Sequence, residues 1–171
     1  MMALNATAQD WTGRRILVAY LTRSGNTRVV AKSISLALKA DLFEIRTQQP
    51  YPEDYFEMVA KAEREREAGF EPPLAELVTN IADYDTVFLG SPIWGQTAPS
   101  VLRSFLSQHD LSGKTVVPVI THGGYGLGSS LEVIRAHAPG ADLIEGLTME
   151  ADQERRTVET INDWLGVSRA T

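Results

Sequence analysis

Short, continuously apolar runs recur along this chain, and they constrain its fold more than any other feature. Three of them are residues 16–21, 86–90 and 115–120. Runs of this length are typical of strands buried on both faces, which occur in parallel sheets covered by helices on each side. Two further short strands are predicted at residues 42–45 and 141–147.

Segments with helical spacing separate these strands. In each segment apolar residues recur every three or four positions, which is the repeat of one face of a helix. The segments are residues 27–40, 99–108, 129–137 and 152–164. This alternation predicts an α/β fold, a three-layer sandwich around a doubly wound, five-stranded parallel sheet of order 2-1-3-4-5.

One more helix is predicted between the second and third strands. Pro and two acids at residues 52–54 suit its first turn, and Gly69 followed by two prolines suits its end. Its apolar residues Phe56, Val59 and Ala60 are expected to pack inward. Lys61 and Glu65 are expected on the outer face, as a charged pair four residues apart.

The length of 171 residues allows one domain. Residues 1–13 show no periodicity and are expected to form a flexible N-terminal tail, which leaves residues 14–171 as the domain. No apolar run approaches the ~18 residues of a membrane-spanning helix, so no membrane span is expected.

Composition excludes several classes of function. The net charge of −6 argues against nucleic acid as a partner. With no cysteine, the chain has no thiol nucleophile, disulfide or cysteine-bound metal, and it suits a reducing, cytoplasmic compartment. The three histidines, His109, His122 and His137, are too scattered to predict a metal site, and no catalytic residue is assigned.

Ligands of doubly wound sheets bind at the carboxyl ends of the strands, so the loops there are the candidate site. The first, residues 22–27 (TRSGNT), combines hydroxyl side chains with a glycine directly before a helix. Free backbone N–H groups at a helix start bind anions, and the hydroxyls add donors. The loop lacks the Lys-Ser/Thr ending of a nucleotide-binding P-loop and is not a GxGxxG motif.

Two later loops carry aromatic residues and glycines. The second loop, residues 90–99, places Trp94 between Pro92 and Gly95, where it could cover a flat ligand. The third loop, residues 121–128, has four glycines that allow close approach of backbone to a ligand, and Tyr125 offers a second aromatic face.

These three loops together resemble the flavodoxin family. The run YLTRSGNT (residues 20–27) resembles the flavodoxin phosphate loop, while GSPIWG (90–95) and THGG (121–124) stand where flavodoxins place the two loops beside the flavin ring. The resemblance covers about residues 15–165 and implies a short-chain, FMN-binding flavodoxin-like fold. The implied cofactor-binding residues are Thr22, Arg23, Ser24, Gly25, Asn26, Thr27, Pro92, Ile93, Trp94, Gly95, Gln96, Thr121, His122, Gly123, Gly124 and Tyr125.

Within this set the resemblance assigns different parts of FMN to different loops. It implies that Thr22, Ser24, Asn26 and Thr27 hold the phosphate, with Arg23 helping to neutralise it. The flavin ring is then expected between the aromatic side chains of the second and third loops.

Two functions fit the resemblance. The first is an electron carrier, a monomer that shuttles single electrons between a reductase and an acceptor protein, and two aromatic residues covering the ring favour it. The second is an FMN-dependent NAD(P)H:quinone or related oxidoreductase, favoured by the absence of acids from residues 91–100 and 121–130. A phosphorelay receiver of the same topology would need an acid after the third strand, where the chain has Gly90 and Ser91.

Overall fold

The computed structural model describes residues 9–150 and 154–166. A parallel sheet of order β2-β1-β3-β4-β5 forms its centre, which confirms the predicted strand order. The strands are β1 (Ile16–Tyr20), β2 (Asp41–Glu44), β3 (Thr86–Pro92), β4 (Thr115–His122), β5 (Asp142–Leu143) and β6 (Leu147–Glu150). The helices are α1 (Asn26–Leu38), α2 (Tyr55–Ala68), α3 (Ser100–Gln108), α4 (Ser130–His137) and α5 (Glu154–Leu165).

The sheet is buried on both faces, as its apolar runs predict. In β1, Leu17 and Ala19 belong to one core, which also contains Phe105 of α3 and Ile134 of α4. Their neighbour Val18 belongs to a second core on the opposite face, formed with α1 and α5. The fold is therefore a three-layer sandwich, with α1 and α5 on one side and α3 and α4 on the other.

The fifth strand position differs from its prediction, because two short strands, β5 and β6, share it. Both pair with β4: Val116 of β4 pairs with Leu143 of β5, and Val119 pairs with Leu147 of β6. The edge therefore has three residues between its paired positions where β4 has two. Pro118 lies at this break and has no N–H to donate to the edge strand. A Cβ on Gly146 would stand 1.8 Å from the carbonyl oxygen of Pro118, so only glycine fits there. The predicted single strand 141–147 therefore becomes a bulged pair of shorter strands.

Helix α2 begins and ends where the sequence predicts, but it buries a different face. Asp54 caps it through Glu57 N–H, and Gly69 ends it with φ of 63°. The buried side chains are Met58, Ala62 and Glu65, whereas Phe56 is 79% exposed. The expectation that Phe56, Val59 and Ala60 pack inward is wrong.

Residues 1–8 of the predicted tail lie outside the described residues. Trp11, which also belongs to that predicted tail, packs against buried Phe88 with 4.9 Å between the ring centroids. Arg14 lies 5.5 Å from the centre of the same indole. A domain boundary at residue 13 stays a prediction.

In the part of the chain that the structure covers, no helix is both long enough and apolar enough to cross a membrane.

Candidate functional site

The register of the sheet brings the three candidate loops to one edge. Tyr20, at the end of β1, pairs with Gly90 of β3, and Pro92 of β3 pairs with Thr121 of β4. Strands β3 and β4 each run two residues further than predicted, so Pro92 and His122 are strand ends rather than loop residues. The three loops are therefore adjacent at the carboxyl edge.

The first loop presents unpaired backbone amides. Gly25 has φ of 99°, and its N–H donates to the hydroxyl oxygen of Thr22 at 3.0 Å. The first helical bond of α1 runs from Val29 N–H to the Gly25 carbonyl. The amides of Asn26 and Thr27 precede this bond and have no partner within the helix, and no side chain caps the helix. The loop therefore offers donors and a positive helix end to an anion.

A buried hydroxyl pair joins the first and third loops. The hydroxyl oxygens of Thr27 and Thr121 lie 2.8 Å apart, and both residues are less than 5% exposed. Gly90 makes room for this contact, because a Cβ there would stand 2.9 Å from Cβ of Tyr20 and 3.2 Å from the methyl carbon of Thr27. The start of α1 is thus fixed against β4.

The second loop turns sharply behind Trp94. Trp94 N–H donates to the Thr97 carbonyl at 3.0 Å, and both central residues of the turn, Gly95 and Gln96, have φ near 60°. The Gln96 carbonyl in turn accepts from Ser129 N–H at 3.0 Å, which ties this loop to the start of α4. The turn therefore holds Trp94 at the edge of the sheet.

The imidazole of His122 organises the third loop. Its Nδ1 accepts from the backbone N–H groups of Gly124 at 3.0 Å and Gly126 at 3.2 Å. Because Nδ1 accepts both bonds, the proton of the neutral ring is on Nε2. Tyr125, between the two glycines, is 90% exposed.

A cavity of about 410 Å³ lies where the loops meet, and it is called the first cavity below. Twelve of the sixteen predicted residues line it: Thr22, Arg23, Ser24, Asn26, Thr27, Pro92, Ile93, Trp94, Gly95, Thr121, His122 and Gly123. The other four, Gly25, Gln96, Gly124 and Tyr125, are not in its lining. The first three of these shape the loops through their backbones, whereas the Tyr125 side chain is exposed to solvent.

Helix α2 supplies a wall that the sequence analysis did not assign. Six of its residues line the first cavity: Tyr55, Met58, Val59, Ala62, Glu63 and Arg66. They recur every three or four positions, so they form one stripe of the helix. The spacing shows that a stripe exists, but the sequence does not show that it faces the loops.

Two arginines give the first cavity a positive lining. Arg23 lies 5.5 Å from the ring centre of Tyr55 and donates to the Glu53 backbone carbonyl at 3.2 Å. Arg66 packs on Gly95, where a Cβ would stand 2.2 Å from its guanidinium. Only one acid, Glu63, lines the same cavity, so its described lining favours a negatively charged ligand.

Tyr51 connects Trp94 to α2. Its ring meets the indole of Trp94 edge-on, with 5.1 Å between centroids, and its hydroxyl donates to the buried carboxylate of Glu65. Burial and the carboxylate of Glu65 raise the pKa of Tyr51 far above its usual value, so the phenol stays protonated. Lys61 Nζ lies 4.6 Å from the centre of the Tyr51 ring. Lys61 and Glu65 therefore both contact Tyr51, and the expectation that they pair on the outer face of α2 is wrong.

Comparison with known proteins identifies the family of this fold. The family model described as Flavodoxin matches residues 15–167, nearly the whole chain. The chain belongs to the flavodoxin family. A solved flavoprotein from Bacteroides eggerthii is 32% identical, with a TM-score of 0.76 over 91% of this chain and 99% of that one.

Two further proteins similar to this flavodoxin-family chain, one in fold and one in local sequence, carry names that mention FMN. A flavoprotein from Lactobacillus acidophilus, solved in complex with FMN, has a TM-score of 0.73 at 18% identity, over 88% of this chain and 98% of that one. An FMN-dependent NADH:quinone oxidoreductase of Staphylococcus haemolyticus is 27% identical over 94 residues. That match covers 55% of this chain and 45% of the enzyme, so this chain spans under half the length of that relative.

Proposed function

We propose that this protein binds FMN without a covalent bond and carries single electrons between a reductase and an acceptor protein. Family membership and the FMN complex of a neighbour of the same fold support FMN as the cofactor. The observation that carries the proposal is that one cavity at the sheet edge combines an anion site with apolar side chains in its lining. When bound, FMN supplies a ring that takes up and releases electrons one or two at a time.

The residues present fit both ends of FMN. The unpaired amides of Asn26 and Thr27, with the hydroxyls of Thr22 and Ser24, match a phosphate dianion, and Arg23 adds positive charge. Trp94 and the apolar side chains of α2 match a flat aromatic ring. No lysine is needed, because backbone donors and the helix dipole do the same work.

The wall formed by α2 favours a carrier over an enzyme. A flavin that accepts hydride needs one open face for the nicotinamide, whereas a carrier exchanges electrons at the exposed edge of a covered ring. Met58 and Val59 of α2 line the first cavity together with Trp94. This cover replaces the one expected from Tyr125. A cytoplasmic location, supported by the absence of cysteine, belongs to the same proposal.

The second candidate is an FMN-dependent reductase. It is favoured by the local similarity to the NADH:quinone oxidoreductase and by the absence of acids from residues 91–100 and 121–130. In this case the nicotinamide would reach the ring after displacement of part of α2.

One experiment separates the two candidates. FMN-loaded protein is mixed anaerobically with NADH or NADPH, and the flavin absorbance is followed. A carrier keeps its absorbance with either nucleotide but is reduced when a ferredoxin-type reductase is added. Rapid bleaching by NADH or NADPH alone would instead establish the reductase.

A further inference from the structure

A second cavity of about 530 Å³ lies beside the first, on the β2 side of the same sheet edge. Trp94, Thr22 and Arg23 line both cavities, so they form the wall between them. The remaining lining comes from Leu21 after β1, Arg28 of α1, the end of β2 and the segment that joins β2 to α2. None of these remaining residues belongs to the predicted FMN site.

Arginines dominate the charge of this second cavity. Arg23, Arg28 and Arg46 line it, against two acids, Glu44 and Glu53. Arg28 donates to Glu44 Oε1 at 2.9 Å, and Arg46 donates to Glu44 Oε2. A guanidinium has five N–H donors, so these bonds account for a minority of them. Three positive and two negative side chains leave the lining with a charge of +1.

Glu44 pairs with two of these cations. Burial raises the pKa of Glu44, but hydrogen bonds from Arg46 and Arg28 outweigh burial and hold the pKa below its usual value. The carboxylate is therefore ionised at neutral pH, and its side chain is only 19% exposed. The two guanidinium groups that share this carboxylate, on side chains 42% and 69% exposed, carry further N–H donors that suit a second carboxylate or a sulfonate.

Another part of the lining of the second cavity is apolar and aromatic, in contrast to the charged part. Tyr51 and Trp94 line it with their rings edge to face, and Leu21 and Ile45 lie at its base, both less than 7% exposed. Flat apolar groups bind well to such surfaces, because they bury area against rigid side chains at little entropic cost.

We propose that the second cavity binds a small planar organic anion, an aromatic carboxylate or sulfonate. Its acid group pairs with Arg28 and Arg46, and its ring contacts Tyr51 and Trp94. The binding itself does not depend on the proposed function, but its effect on FMN does, because Trp94 is shared. If the anion changes the affinity of the protein for FMN, then FMN changes the affinity for the anion by the same factor, because binding at the two sites is coupled.

Calorimetric titration of FMN-loaded protein with 2-naphthoate tests the proposal, with the uncharged amide 2-naphthamide as the matched probe. We expect naphthoate to bind about tenfold more tightly than the amide, since the amide lacks the charge that Arg28 and Arg46 recognise. The naphthoate affinity should fall as salt is added. Equal affinities for the two probes, or no binding of naphthoate, would overturn the proposal.

Two variants of the Arg46–Glu44 pair, which change the charge of the lining in opposite directions, distinguish loss of anion recognition from loss of structure. Arg46→Gln should weaken naphthoate about fivefold or more, whereas Glu44→Gln should strengthen it, because it removes a negative charge from the lining. If both variants weaken binding alike, the pair is only structural and the proposal fails. Arg64→Gln, on the exposed side of α2, is the control and should change nothing.

The flavin signal distinguishes the remaining outcomes. Release of FMN by naphthoate that is as strong in Arg46→Gln as in the wild type would place the probe in the first cavity and overturn the proposal. Protein that takes up no FMN would refute the proposed function instead. The same titrations on that protein, with Arg46→Gln and Glu44→Gln, would still decide whether the second cavity binds the anion.

Discussion

The hydroxyl of Tyr51 donates a hydrogen bond to the buried carboxylate of Glu65, and so joins the segment after β2 to the helix that lines the first cavity. The same Tyr51 ring rests edge-on against Trp94. The position of α2 and the position of the indole are therefore coupled through one side chain. Any change at Tyr51 acts on both walls of the site.

Tyr51→Phe should lower the free energy of unfolding by about 1–3 kcal/mol, because it leaves the Glu65 carboxylate buried without its donor. The raised pKa of Tyr51 gives this effect a pH dependence. The unfolded chain loses the phenol proton near pH 10 while the folded protein keeps it, so the stability that the wild type gains from this bond is lost as the pH rises above about 10. Urea unfolding at neutral and alkaline pH measures both effects.

The control for this variant is Tyr55→Phe, since Tyr55 is 60% exposed and its hydroxyl makes no hydrogen bond among the described residues. It should change stability by less than about 0.5 kcal/mol. Equal losses in the two variants would mean that the bond to Glu65 contributes nothing.

FMN should bind far more tightly than riboflavin, which lacks the phosphate. Each charge-assisted bond to the first loop is worth ~1.5–3 kcal/mol, and two or more are available from Asn26, Thr27 and their neighbours. Quenching of flavin fluorescence on titration measures both affinities. Arg23→Gln should weaken FMN and leave riboflavin unchanged. Comparable affinities for the two flavins would show that the first loop does not hold the phosphate.

Trp94→Ala should weaken FMN by ~1–3 kcal/mol, taking the loss of stacking between an aromatic side chain and a base as a guide. Trp94 emission should also be quenched when FMN binds to the wild type. Trp11→Ala is the matched control, because Trp11 packs on Phe88 away from the first cavity. It should cost stability but not FMN affinity. The assignment of the ring to Trp94 fails if only the control loses affinity.

His109 should make the protein less stable in mild acid. Burial lowers its pKa, and its Nε2 accepts from the Val78 N–H at 2.9 Å, a bond that requires an unprotonated nitrogen. As the pH falls below about 6.5, His109 is protonated in the unfolded chain but stays neutral in the folded protein. The unfolding free energy therefore falls by up to about 1.4 kcal/mol per pH unit. Urea unfolding between pH 7.5 and 5.5 measures this slope. His109→Gln should remove it, and an unchanged slope would assign the acid sensitivity elsewhere.

The strand order and the three loops could be predicted because their signals are local. Apolar runs mark buried strands wherever they occur, and glycines with hydroxyls at strand ends mark loops that approach a ligand. The face that α2 buries could not be predicted in this way. Periodicity places Glu65 outside, and only its bond to Tyr51, fourteen positions away, makes its burial tolerable.

Two further differences arise from contacts that residue type alone does not reveal. Pro118 interrupts the strand beside it rather than its own, so a single glycine, Gly146, is the sign of the break within residues 141–147. Tyr125 is an aromatic residue in a loop beside the cavity. The hydrogen bonds that His122 accepts from two backbone N–H groups shape a turn in which the Tyr125 phenol is exposed to solvent. Residue type predicted which loops meet at this edge of the sheet, and tertiary contacts determined which side chains line the cavity.

The break in the edge strand at Pro118 has a consequence for association between molecules in concentrated solution. An open sheet edge with a long, regular row of free N–H and C=O groups recruits strands from other chains and seeds aggregates. Here one edge is divided between a strand of two residues and a strand of four. At the opposite edge, β2 has only four residues and begins and ends with an acid. Neither edge offers an incoming strand a long row of backbone hydrogen bonds. At the β5–β6 edge, the proline that interrupts the strand therefore also disfavours self-association through strand pairing.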